Sequence, residues 1–270
     1  MITLRRGKKT RQDFDQVIGE ALQQAERGNV EEAIRLIKDA WHLSNRYGLG
    51  FRQIEADFIK NVAYQRGLAT ALDSARYWAS EGDVPTAMKY VNAVNHYASV
   101  VGAKPSDEVL AAIAREAYSK GAEKKLEWAS RHIQDGLPIQ ALQYIAMARQ
   151  YASRAGLDIN DRVQQLIREV QPVGAQTYLK LAREDAEKGY LRGVEISLKR
   201  ARKFAQMSGV DINPQIQEIE KVAYAHQAAN FMGVAQSYTN GGFNNRARIW
   251  MSIAQQSASR GGTTIDNVVK

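Results

Sequence analysis

The sequence contains no cysteine. That removes disulfides, thiolate nucleophiles and cysteine-based zinc or iron–sulfur sites together, and leaves packing to hold the interior. Apolar stretches run only a few residues, too short to cross a bilayer. The opening residues, Met1-Ile2-Thr3-Leu4-Arg5-Arg6-Gly7-Lys8-Lys9, lack the apolar segment of a secretory signal and are short for a mitochondrial presequence. A cytoplasmic location is therefore expected. Phosphate loops, dinucleotide fingerprints, nucleophile elbows and paired-histidine metal motifs are also missing. The four histidines, His42, His96, His132 and His226, stand far apart. No enzyme, metal or cofactor is expected from such a chain.

Charge of one sign is present but localised. Residues 1–12 hold Arg5, Arg6, Lys8, Lys9 and Arg11 with no acid, so of the net +8 only +3 belongs to the rest of the chain. The basicity reads as a flexible tail over 1–12 on a nearly balanced body. A helix start is expected at Thr10, with Asp13 three residues on. Elsewhere acids mostly neighbour Lys or Arg, the pattern of solvated helix faces.

A fixed period organises everything else. Glycines recur at Gly28, Gly82, Gly136, Gly189 and Gly242, spaced 54, 54, 53 and 53, and again at Gly48, Gly102, Gly156, Gly209 and Gly262 with the same spacings. Apolar columns keep step. Ten residues before the first glycine stand Ile18, Leu72, Leu126, Leu179 and Met232; seven before it stands alanine in all five copies, Ala21, Ala75, Ala129, Ala182 and Ala235. Ala33, Ala87, Ala141, Val194 and Ala247 follow it by five, and Ile37, Val91, Ile145, Leu198 and Met251 by nine. Such spacings mark one face of an α-helix. An unbroken small column means that helix backbones approach closely there. The fold class is all-α: a right-handed helical-repeat solenoid of five units, about 13–66, 67–120, 121–173, 174–226 and 227–270, forming a single domain.

Each unit reads as three segments. Segment A ends at the first glycine, B runs between the two glycines, and C follows a loop with start signals such as Ser106 before Asp107-Glu108 and Asn213 before Pro214. C carries Ile59, Ile113, Leu166 and Ile219 with Ala63, Ala117, Val170 and Ala223. Counted separately these make roughly fourteen helical segments. The joint between C and the next A is marked by Gly67, Gly121 and Pro172-Val173-Gly174, and in the last case by Gln227. Two separate helices fit there, as does one long helix kinked at glycine, the form favoured here. Over the nine residues from Ala63 to Leu72 a continuous helix turns by about 900°, so the two apolar faces point oppositely and pack backward and forward.

The A–B pair resembles a tetratricopeptide repeat, in which a small residue is followed by Gly after seven, Ala after five more and Ala after another seven. Ala129, Gly136, Ala141 and Ala148 match, as do Ala21, Gly28, Ala33 and Ala40; Val194 in the fourth copy and Val94 in the second depart from it. The longer period departs further, since that family's unit has two helices in about 34 residues. The resemblance implies a helical hairpin that binds proteins, and the leading expectation is a non-enzymatic scaffold or adaptor for a protein or peptide.

Two surfaces stand out as candidates. On the side of segment A away from the core columns, residues vary from copy to copy: Tyr77, Trp78, Arg131, His132, Glu184, Asp185 and Tyr238, with Gln23, Gln24 and Ser237 in the same positions. Variation over a constant core is the pattern of a partner-binding face in a solenoid, although it equally fits a solvated face. The alternative is an RNA- or DNA-associated protein that meets phosphates with Arg5, Arg6, Lys8, Lys9 and Arg11 and with the basic helix 192–203, through Arg192, Lys199, Arg202 and Lys203. Gln24, Trp78, His132, Asp185 and Tyr238 show no base-reading code. A third reading is head-to-tail self-association, because no C segment precedes Phe14, Val17 and Ile18, and the fifth unit breaks off near Thr264-Ile265-Asp266-Asn267, leaving Ile249, Trp250, Met251 and Ile253 short of neighbours.

Overall fold

A computed structural model describes residues 2–265, with side chains from residue 11 onward. Among the described residues the chain forms ten helices and no strand: α1 (Ile2–Glu26), α2 (Val30–Tyr47), α3 (Gln53–Ser80), α4 (Val84–Val100), α5 (Asp107–Gln134), α6 (Pro138–Ala155), α7 (Asn160–Glu187), α8 (Leu191–Ser208), α9 (Asn213–Asn240) and α10 (Asn244–Arg260). None of them is long and apolar enough to cross a membrane.

The expected fourteen segments are ten helices because every C runs unbroken into the next A. This gives α3, α5, α7 and α9 a common length of 28 residues, about 42 Å of helix each. Thr10 does not start α1, which already runs from Ile2. Of the basic tail residues, the side chains of Arg5, Arg6, Lys8 and Lys9 lie outside the described residues, and Arg11 is exposed.

Both glycine series end helices. All ten members have φ between +66° and +79°, a backbone region in which a Cβ would be strained. After the first series, the amide of the residue following each glycine donates back across the turn: Asn29 to Gln24, Asp83 to Trp78, Leu137 to His132, Tyr190 to Asp185 and Phe243 to Tyr238, at 2.8–3.0 Å. That six-to-one bond consumes a carbonyl left over at the helix end.

Gly67, Gly121 and Gly174 serve a different purpose. They lie buried inside long helices, where glycine normally costs stability relative to alanine. A Cβ at Gly67 would overlap Val30 Cγ2, one at Gly121 would stand 2.5 Å from Val84 Cγ2 and 3.0 Å from the Tyr151 ring, and one at Gly174 would stand 2.5 Å from the Phe204 ring. These glycines admit a neighbouring helix; they do not break their own. Pro172 lies inside α7, removing one amide from its ladder without ending the helix.

The chain divides into two compact units, 1–124 with 148–158, and 125–147 with 159–270. In the first, α1 packs on α2 and α3, and α3 packs on α4. Its cores join Ala21, Ala33, Ile37, Ile59 and Ala63, and then Ala75, Ala87, Val91, Ile113 and Ala117. In the second, α7 and α8 pack on each other and on α9, and α9 packs on α10. Leu179, Ala182, Val194, Leu198, Ile219 and Ala223 form one cluster there. The five alanines seven residues before the first glycines are each at most 1% exposed. Phe14, expected to lack a neighbour, is buried, and Trp250 lies half-buried 5.5 Å from the Phe231 ring, while Ile249 stays exposed.

Candidate functional site

In each copy the last turn of segment A and the residue that leads into B make a short edge, and the sequence-predicted partner-binding residues fall at that place within each unit. In the first unit, Tyr77 is exposed, and its ring meets that of Trp78 edge-on at 5.1 Å. Trp78 is half-buried against the Ala75 and Ala79 cluster, so only part of it faces solvent. Asp83 then caps α4, accepting from the Thr86 amide at 3.2 Å and its hydroxyl at 2.9 Å.

In the second unit, Arg131 is exposed and His132 half-buried. The Nδ1–H of His132 donates to the Trp128 carbonyl at 2.8 Å, and its ring lies 4.9 Å from that of Tyr144. Tyr144 and Trp128 also flank the Lys125 ammonium, 5.4 and 4.2 Å from the ring centres. His132 thus belongs to an aromatic cluster that already holds its own cation. Glu184 and Asp185 are half-buried. A Cβ at Gly193 would lie 2.7 Å from Asp185 Cγ, so the carboxylate rests over the first turn of α8, where the helix dipole favours it. Tyr238 meets the Phe243 ring edge-on at 6.3 Å, and the Arg246 guanidinium lies over both, 5.9 and 5.8 Å from their centres.

Sequence reasoning missed the residue that follows each first glycine. In copies one and two it is Asn29 or Asp83, types suited to the start of a helix. In copies three to five it is Leu137, Tyr190 or Phe243, with 40%, 56% and 57% of the side chain exposed. Tyr190 and Phe243 occupy the N-cap positions of α8 and α10 with no side-chain cap bond, although their backbone angles (φ −90°, ψ 74° and φ −92°, ψ 60°) are close to those of capping Asp83 (φ −84°, ψ 81°). A cap contributes roughly 0.5–2 kcal/mol. The second unit therefore repeats a large apolar or aromatic residue, still exposed, at the position where Asp83 makes a cap bond and Asn29, though polar, makes none. The signal was visible in sequence as a polar-to-apolar switch at a capping position.

The basic helix is α8. Arg192, Lys199 and Lys203 are exposed, whereas Arg202 pairs with Glu220 at 3.0 Å and Arg200 lies 5.4 Å from the centre of the Tyr178 ring. The expected phosphate-facing set is thus partly engaged within the chain. The charge network Glu32–Arg35–Asp39 on α2, with contacts of 2.6 and 2.7 Å, holds the Glu32 carboxyl below its usual range through its hydrogen bond to Arg35. All three side chains are about half exposed on that helix face. Among the described residues no group of three or more His, Asp or Glu could hold a metal. No protein-family profile, curated protein or solved structure matches this chain.

Proposed function

We propose that the chain is a non-enzymatic scaffold whose copies stack as a tetratricopeptide-like, right-handed solenoid and hold a protein or peptide partner along the A–B edge. The observation that carries this reading is the row Leu137, Tyr190 and Phe243, apolar and exposed at one repeat position where a capping side chain would be more stable. Stability given up at a solvent-facing position is expected where a partner covers it, and aromatic residues are the side chains most enriched in such contacts. Tyr238 and Arg246 beside Phe243 extend the same patch. The alanine and glycine columns support the tetratricopeptide-like hairpin, and the packing of neighbouring helix pairs supports its stacking.

Affinity capture from lysate tests this, comparing the wild-type chain with Leu137→Asp/Tyr190→Asp/Phe243→Asp, with and without nuclease. The scaffold reading expects a partner that survives nuclease and moderate salt and is lost from the variant. Retention that disappears with nuclease and falls steeply with salt would favour phosphate binding by the basic residues instead.

A further inference from the structure

The B helices carry a second, separate feature. Between α6 and α8, over the C half of α7, lies a groove of about 580 Å³ in the second unit, within the size range of ligand sites. Ile139, Leu142, Ile167 and Met207 give it apolar walls, and Arg200 and Lys203 stand at its margin with no acidic residue in the lining. Ile139 and Met207 are 43% and 48% exposed, so the groove opens to solvent along its length. Lys203 has no ion pair among the described residues.

The first unit holds the repeat-equivalent groove, about 420 Å³, between α2 and α4 over α3. Ile34, Lys60, Tyr64 and Val100 stand there two copies ahead of Leu142, Ile167, Gln171 and Met207. Its cations, Lys38 and Lys60, occupy different repeat positions from Arg200 and Lys203, and again no acid lines it. Two grooves thus combine apolar walls with cations and no acid in the lining, through different residues, although in the first Lys60 already pairs with Asp57 at 3.7 Å. In the copy between them, the residues equivalent to Tyr64 and Val100 are Tyr118 and Arg154, and there Arg154 donates to the Tyr118 hydroxyl at 2.7 Å and lies over its ring.

The geometry points to the groove of the second unit as a docking site for an acidic, apolar peptide segment. Leucine- or phenylalanine-type side chains would lie against Ile139, Leu142, Ile167 and Met207, with carboxylates paired to Lys203 and Arg200. Charge complementarity selects this occupant: the lining offers cations and no anion, which favours carboxylates and repels a basic helix. The inference rests on the scaffold reading for the class of partner and is independent of it for the place.

The test is fluorescence anisotropy of the full chain with a fluorescein-labelled peptide, Glu-Leu-Phe-Asp-Glu-Leu-Leu-Asp. Saturable binding is expected, weakened about tenfold or more by Lys203→Glu and by Met207→Glu, since loss of one such contact is on the order of a decade in affinity. Both side chains are exposed, and unchanged thermal unfolding of each variant shows that the fold survives. Peptides with lysine replacing every acid, or serine replacing every apolar residue, should not bind. Equal binding of the lysine peptide, indifference to both substitutions, or no binding of the acidic peptide would overturn the proposal. Displacement of that peptide by equimolar dodecanoate or polyuridylate would overturn it in favour of a lipid or a nucleic acid. Phe243→Asp, measured in parallel, should leave peptide affinity unchanged, so that failure at the groove and failure at the A–B edge are read separately.

Discussion

Ser257 donates a 2.9 Å hydrogen bond to Gln227 at the site where three earlier copies seat an aromatic ring on a glycine. Gly67 with Tyr97, Gly121 with Tyr151 and Gly174 with Phe204 are the equivalents. The last copy exchanges both partners at once, a long side chain against a small one in place of none against a ring. The pair conserves volume across the helix joint, and the joint is where one copy registers on the next.

Gly121→Ala tests that close approach. In an open helix the change would gain roughly 0.5–1 kcal/mol. Here the new methyl meets Val84 and Tyr151 at 2.5 and 3.0 Å, and overpacking of this kind costs about 1–3 kcal/mol. Chemical denaturation should show a net loss; a gain would mean that the joint has slack.

Swapping the last pair back tests their coupling. Gln227→Gly and Ser257→Tyr should each destabilise alone, the first by opening a void and the second by crowding Gln227. The double variant should recover a large part of the summed loss, an interaction of roughly 0.5–3 kcal/mol in a double-mutant cycle. Simple additivity would remove the volume-exchange account.

Ala129→Leu should lower stability by about 1–3 kcal/mol, because Ala129 is fully buried in the column that brings A and B together. An unchanged melting curve would mean that the column is not an interface.

Phe243→Asp should raise stability by roughly 0.5–1 kcal/mol, since an aspartate with Asp83-like angles can accept an amide of the first turn of α10. The lost edge contact with Tyr238 sets the lower end of that range. A destabilised variant would show that Phe243 serves the fold and not a partner.

Tyr97 supplies a pH test. Burial, with Glu31 and then Tyr64 and Tyr90 as lesser causes, pushes its hydroxyl above the ordinary value. A raised folded value favours the neutral form, so its contribution is complete below about pH 10 and is lost as pH rises through the folded value. Tyr97→Phe should flatten that part of the stability profile, read from unfolding curves on either side of about pH 10.

Much of the fold was legible because its determinants are local. The paired glycines announce left-handed turns that only glycine adopts freely, and the alanine, valine and leucine columns announce buried faces at helical spacing. The C–A joint was harder, because Gly67 and Gly121 read as possible breaks when taken alone. Their purpose depends on Val30, Tyr97, Val84 and Tyr151, brought there by tertiary packing. The site was less legible. Tyr77 and Arg131 do face solvent, yet Trp78 and His132 are largely engaged by neighbours that their variability does not reveal. Leu137, Tyr190 and Phe243 were passed over because an apolar residue in a loop carries no meaning until its place as an unused cap is known.

The edge bearing Leu137, Tyr190 and Phe243 is the surface proposed to meet a protein. The most direct measurement places the photo-crosslinking residue benzoylphenylalanine at Tyr190, and in a separate chain at exposed Gln217 on α9, and illuminates both in nuclease-treated lysate. Discrete protein adducts are expected at position 190 that vanish when Leu137→Asp and Phe243→Asp are added, with none of those bands at 217. Adducts of equal yield at both positions, or adducts at 190 indifferent to the flanking substitutions, would contradict that proposal.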